Sequence, residues 1–101
     1  MEDYEKEFMA YCLGAIDKRW AFAIWDDFET KDAEMKKDSF YKPEDYDDYL
    51  SDLLGEVDYM YDWMDSAGLG PQYELVGTEV HNSIVKAYRN SKNKDEFYIN
   101  L

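Results

Sequence analysis

The stretch PEDYDDYLSDLLGEVDYMYDWMD, residues 43–65, decides how this chain reads. Pro43 suits the first turn of a helix, and Glu44 and Asp45 follow where the helix dipole favours anions. At about 100° per residue, Tyr46, Tyr49, Leu50, Leu53, Val57, Met60, Tyr61 and Met64 gather on one face. Glu44, Asp48, Asp52 and Glu56 form a ridge on the opposite side, and Asp47, Asp58, Asp62 and Asp65 form a second. Tyr59 and Trp63 fall among the acids. The spacing predicts an amphipathic helix ending near Ala67-Gly68, and with it an all-α fold, a small bundle of three to four helices. Gly55 is unfavourable there by about 1 kcal/mol and marks a close approach of another helix.

Outward from this segment the same period recurs. Residues 2–29 read as helix, with Tyr4, Phe8, Tyr11 and Ala15 on one apolar stripe and Gly14 as a break or kink. Trp20-Ala-Phe-Ala-Ile-Trp25 is apolar all round, which fits either a buried helical segment or a short strand, and its two alanines and charged flanks favour the helix. Residues 30–42 are polar and mixed in charge and read as a connection with room for one helical turn. Beyond the Gly68-Leu-Gly-Pro71 loop, Tyr73, Val76, Val80, Ile84 and Ala87 again share a helical face. Two short pieces, 73–76 and 97–101, are open to either helix or strand, so a short C-terminal strand pair is the alternative. For the former, Thr78 would be the helix N-cap.

A chain of 101 residues reads as one domain, 1–101. With 46% apolar and 18% aromatic residues it can fill a core despite a net charge of −13. The charge is blocked. Residues 1–42 carry eleven acids and seven bases, residues 43–85 eleven and none, and residues 86–101 two against four. Such a surface disfavours direct binding to nucleic acid or to an anionic membrane. Cys12 is the single cysteine and reads as a small buried hydrophobe, with no disulfide or thiolate cluster to join. No secretory leader pattern opens the sequence, and the longest wholly apolar run is too short for a bilayer, so a cytoplasmic location is expected.

Catalytic material is thin. His81 is the only histidine and stands in no nucleophile–base motif, and Gly68-Leu-Gly lacks the lysine of a phosphate loop. No enzymatic activity and no cofactor or metal are expected. The segments Glu2-Asp-Tyr-Glu5 and Glu44-Asp-Tyr-Asp47 do resemble the ExxE and ExxD elements of the MazG-like pyrophosphohydrolases. That resemblance implies a shared Mg²⁺ and basic residues on a triphosphate, which residues 43–85 do not offer.

The acidic segment carries the functional reading. Nine carboxylates between Glu44 and Asp65 rise over roughly 33 Å of helix, one per about 3.7 Å, against about 3.4 Å per phosphate along one DNA strand. A solvated helix face ordinarily mixes signs, because i,i+4 pairs of like charge repel. Glu44–Asp48, Asp48–Asp52, Asp52–Glu56 and Asp58–Asp62 are all such pairs. In size, charge and this pattern the chain resembles the phage-encoded nucleic-acid mimics that block restriction enzymes, CRISPR effectors or DNA-repair enzymes. The resemblance implies a non-catalytic inhibitor acting in the host bacterial cytoplasm. Its partner would be a basic nucleic-acid-binding protein, a nuclease or CRISPR effector, with no direct nucleic-acid or membrane contact. The expected binding residues are Glu44, Asp45, Asp47, Asp48, Asp52, Glu56, Asp58, Asp62 and Asp65, with Tyr59 and Trp63 as apolar contacts. Homodimerisation would lengthen the acidic wall and is left open. Two alternatives stand beside the inhibitor. One is an adaptor or oligomerisation module whose interface is Trp20, Phe22, Trp25 and Phe28, the acids serving only as a solvated face. The other is the Mg²⁺-dependent nucleotide pyrophosphohydrolase that the MazG-like resemblance implies.

Overall fold

A computed structural model describes residues 3–56, 65–68 and 70–101. Among them stand five α-helices and no strand: α1 Asp3–Gly14, α2 Lys18–Lys37, α3 Tyr46–Glu56, α4 Gly70–Arg89 and α5 Lys94–Asn100. A 3-10 turn, Pro43–Asp45, leads into α3. The all-α expectation holds, with one helix more than the upper number read from the sequence. Val57, Met60, Tyr61 and Met64 of the expected apolar face lie outside the described residues.

The first expected helix is two. Gly14 ends α1, and Asp17 starts α2 by accepting the Trp20 backbone N–H at 2.9 Å. The second of them then runs to Lys37, through residues that read as a connection. Its buried residues show why: Ala21, Ile24, Trp25, Phe28, Asp32 and Met35 continue one stripe at helical spacing. Asp32 interrupts the apolar pattern and hides the continuation.

Two more expectations are corrected. In α1 the buried residue is Cys12, with Ile16 buried just beyond its end, whereas Tyr4 and Tyr11 are 54% and 64% exposed. The apolar face is turned so that small Cys12 meets the core, and the tyrosines keep their hydroxyls in water. The strand alternative fails at both places, since residues 73–76 and 97–100 are helical. Asn93 caps α5 by accepting the Glu96 N–H at 2.9 Å, and Asp95 and Glu96 occupy its first turn. In α4 the backbone leaves helical geometry at Val76 (φ −124°, ψ 15°), two residues before Thr78, but helix lies on both sides.

The core joins all five helices. α4 lies between α1 and α3, α2 contacts α3 and α5, and α5 also touches α4. Phe28, Ile24 and Met35 from α2, Leu50 and Leu54 from α3, and Val76, Val80 and Ile84 from α4 are fully or almost fully buried. Trp25, Phe28, Tyr88 and Phe97 form an aromatic cluster, with Trp25–Tyr88 centroids at 4.8 Å and Trp25–Phe97 at 5.7 Å. The adaptor interface loses its centre by this packing. Phe28 is fully buried and Trp25 nearly so, and Phe22 is half-buried with the ammoniums of Lys18 and Lys94 5.4 and 5.2 Å from its ring. Lys18–Asp95 and Lys94–Asp26 pairs tie the same two helices together.

Candidate interaction surface

Burial of Leu50 and Leu54 fixes how α3 sits, and helical geometry then distributes its acids. Tyr49 and Leu53 flank the buried pair on the α2 side, where Leu53 shares a cleft with Asp27, Thr30, Lys31 and Glu34. Asp47, Ser51 and Gly55 flank it on the α4 side. There Arg89 Nε donates to Asp47 Oδ1 at 2.7 Å, and the Ser51 hydroxyl donates to Asn82 Oδ1 at 3.4 Å. Asp48 and Asp52 are left on the outer side, exposed.

The expected binding residues therefore divide. Glu44, Asp48, Asp52 and Asp65 are exposed and Asp45 is half-exposed. No Lys or Arg nitrogen stands within ion-pair distance of any of these five among the described residues. Asp47 is exposed but engaged by Arg89. Asp58, Tyr59, Asp62 and Trp63 lie outside the described residues, as does the side chain of Glu56. The wall has a cationic flank that its own segment lacks: Lys86 and Arg89 line an open cleft of about 520 Å³ with Asp47 and Asp48.

Arg89 is the residue that linear reading missed. It reaches Asp32 of α2 with two hydrogen bonds, Nη1 to Oδ2 and Nη2 to Oδ1, each at 3.1 Å, while its Nε holds Asp47. Lys36 adds a contact to Asp32 Oδ2 at 3.0 Å. The Asp32 side chain is only 8% exposed. Burial alone would push its carboxyl up. The hydrogen bonds and charges of Arg89 and Lys36 outweigh that and hold it below the usual carboxylate value. The signal in the sequence was a charged residue on a buried stripe, four after Phe28 and three before Met35.

His81 sits at the same α3–α4 seam. Burial lowers its pKa, and the charge of Asp52 opposes this without cancelling it. A lowered folded-state value means that the unfolded chain takes up the proton first, so this contribution to stability is lost as pH falls below about 6.5. Stability measured from pH 7 to 5 is expected to fall for the natural chain relative to His81→Gln. Parallel curves would show that His81 titrates alike in both states.

Gly55 does mark a close approach, though one with room. A Cβ built there would lie 3.9 Å from His81 Cε1, an ordinary contact. Gly55→Ala is therefore expected to stabilise the protein by about 0.5–1 kcal/mol in urea unfolding, through the lower entropy of the unfolded chain. A loss of stability would mean that the seam is tighter than this.

Among the described residues no three His, Cys, Asp or Glu side chains are grouped to share a cation. Of the pyrophosphohydrolase-like acids, Glu44 stands exposed on the 3-10 turn, Asp47 is held by Arg89, and Glu2 lies outside the described residues. No helix among them is long and apolar enough to cross a membrane. No protein-family model, curated protein or solved structure matches the chain.

Proposed function

We propose that this chain is a non-catalytic inhibitor of the nucleic-acid-mimic kind, acting on a bacterial defence or nucleic-acid-processing enzyme. Its α3 face would occlude the basic DNA- or RNA-binding site of an anti-CRISPR or anti-restriction target. One observation carries the reading: among the described residues no Lys or Arg nitrogen stands within ion-pair distance of Glu44, Asp45, Asp48, Asp52 or Asp65, while four cations are engaged elsewhere in the fold. Arg89 and Lys36 serve buried Asp32, and Lys18 and Lys94 serve the α2–α5 contact. Asp48 and Asp52, four residues apart, are separated by about 6 Å along the axis, close to two phosphate steps of about 3.4 Å. A row of that spacing complements Lys and Arg side chains placed to hold a nucleic-acid strand.

The test is affinity capture from bacterial lysate on the immobilised protein at low salt, eluted between roughly 0.1 and 1 M NaCl. A variant with Asp48, Asp52, Glu56 and Asp62 all changed to Lys serves as control. Nucleases or other nucleic-acid-handling enzymes are expected from the natural protein alone. Identical eluates from the two columns would make the acids a solvated face and overturn the reading.

A further inference from the structure

We propose that Phe40 is the apolar anchor of this same interface, entering a pocket of the target enzyme whose rim carries carboxylates. The inference rests on the inhibitor reading and names a second element of the partner's surface. Phe40 is 79% exposed, the highest value among the large apolar side chains described as exposed. Its backbone is nevertheless held in a turn. Its backbone N–H donates to Asp38 Oδ1 at 2.9 Å, and the Tyr41 N–H donates to the Asp38 carbonyl at 3.2 Å. Its ring stands edge-on to Tyr41 at 5.7 Å, and Tyr41 stands edge-on to Tyr49 of α3 at 4.9 Å. The Lys31 ammonium covers Tyr41 at 5.4 Å. Phe40 thus ends an aromatic stack rooted on α3, beside Asp48 in the chain. A backbone already held in a turn loses little freedom on binding, and aromatic anchors tend to dominate interface energies.

The charges around it say what it fits. Lys37 and Lys42 flank Phe40 in the chain and are exposed, and no carboxylate lies within ion-pair distance of either among the described residues. In a chain with 24 acids and 11 bases, two cations without an ion pair among the described residues stand on either side of the exposed ring in sequence. Along the chain the order is cation, aromatic, cation, then the acidic row. The complement is an apolar pocket edged by carboxylates and continuous with a basic channel. Enzymes that cut or copy nucleic acid with metal ions hold acidic ligands beside their phosphate-binding cations, so the two features coexist in the proposed class of target.

The test uses the whole chain and the enzyme recovered from the lysate column, purified, with association and release followed at several salt concentrations. Phe40→Ala is expected to release about tenfold faster or more, with the salt dependence and thermal stability of the natural chain retained. Lys37→Glu with Lys42→Glu is expected to weaken binding despite leaving the acidic row intact. If Phe40→Ala releases like the natural chain while Asp48→Lys with Asp52→Lys fails to bind, the anchor is overturned and the inhibitor reading survives. If both variants bind normally, or no nucleic-acid-handling enzyme is recovered, both are overturned. A single-stranded oligonucleotide that binds the natural chain but not Phe40→Ala would also overturn the anchor, because the ring would then be stacking on bases.

Discussion

Replacing Arg89 with Met is expected to lower the unfolding free energy by roughly 3 kcal/mol. The guanidinium makes two hydrogen bonds to Asp32 and one to Asp47, and so joins α2, α3 and α4 at one point. Without it, the nearly buried Asp32 carboxylate keeps only Lys36, whose own side chain is 60% exposed. An ion left in a low-dielectric site without its partner is the costly case, more so than losing the pair altogether. Asp32→Leu combined with Arg89→Met is therefore expected to recover part of the loss. Asp47→Asn should cost less than about 1 kcal/mol, since its side chain is 62% exposed and its pairing is screened by water. The folded-state pKa of Asp32 is lowered, so its contribution is present above about pH 4 and is lost as pH falls through the folded value. Urea unfolding of the variants at neutral and acidic pH measures all of this. An Arg89→Met chain as stable as the natural one would show that α3 is held by its apolar face alone.

The second large effect is on binding. Asp48→Lys with Asp52→Lys is expected to weaken the complex with the captured enzyme at least about 100-fold at low salt, equivalent to about 2.7 kcal/mol. Each substitution removes an attraction and creates a repulsion on the outer side of α3, and neither side chain touches the core. Stability should change little, because two small effects oppose each other. A cation in the first turn of α3 meets the helix dipole unfavourably. The lysine introduced at 48 would face Glu44 with the opposite sign, replacing one repulsive i,i+4 pair by an attractive one worth a few tenths of a kcal/mol. A variant that is as stable as the natural chain, or more so, and no longer binds would separate the acidic row's role from folding. Equal binding by the two proteins, with equal salt dependence, would place the interface elsewhere.

Much of this fold follows from period alone. The apolar positions of α3 and α4 repeat at helical spacing, and Leu50, Val76, Val80, Ile84 and Ala87 are buried as that spacing requires. The aromatic segment from Trp20 is helical, as an all-round apolar run with alanines should be. The end of α2 was harder to read, because its stripe passes through Asp32, and a carboxylate looks like an exit from the core until its cation is known. α5 was equally ambiguous. Seven residues are too few for a period, and the cap at Asn93 with Phe97 behind it settles the form only once α2 offers Phe97 a place to pack.

What the sequence determined by itself is the helical class, the blocked charge and the side of α3 on which its acids collect, because each depends on residues near one another in the chain. What only the tertiary structure decided is which charges remain available. Arg89 stands 42 residues from Asp47 and 57 from Asp32, and only the packing of α2, α3 and α4 brings them together. The same packing buries Trp25 and Phe28 and leaves Phe40 in water. Hydropathy ranks Phe28 and Phe40 alike, and their different fates follow from the packing around each of them.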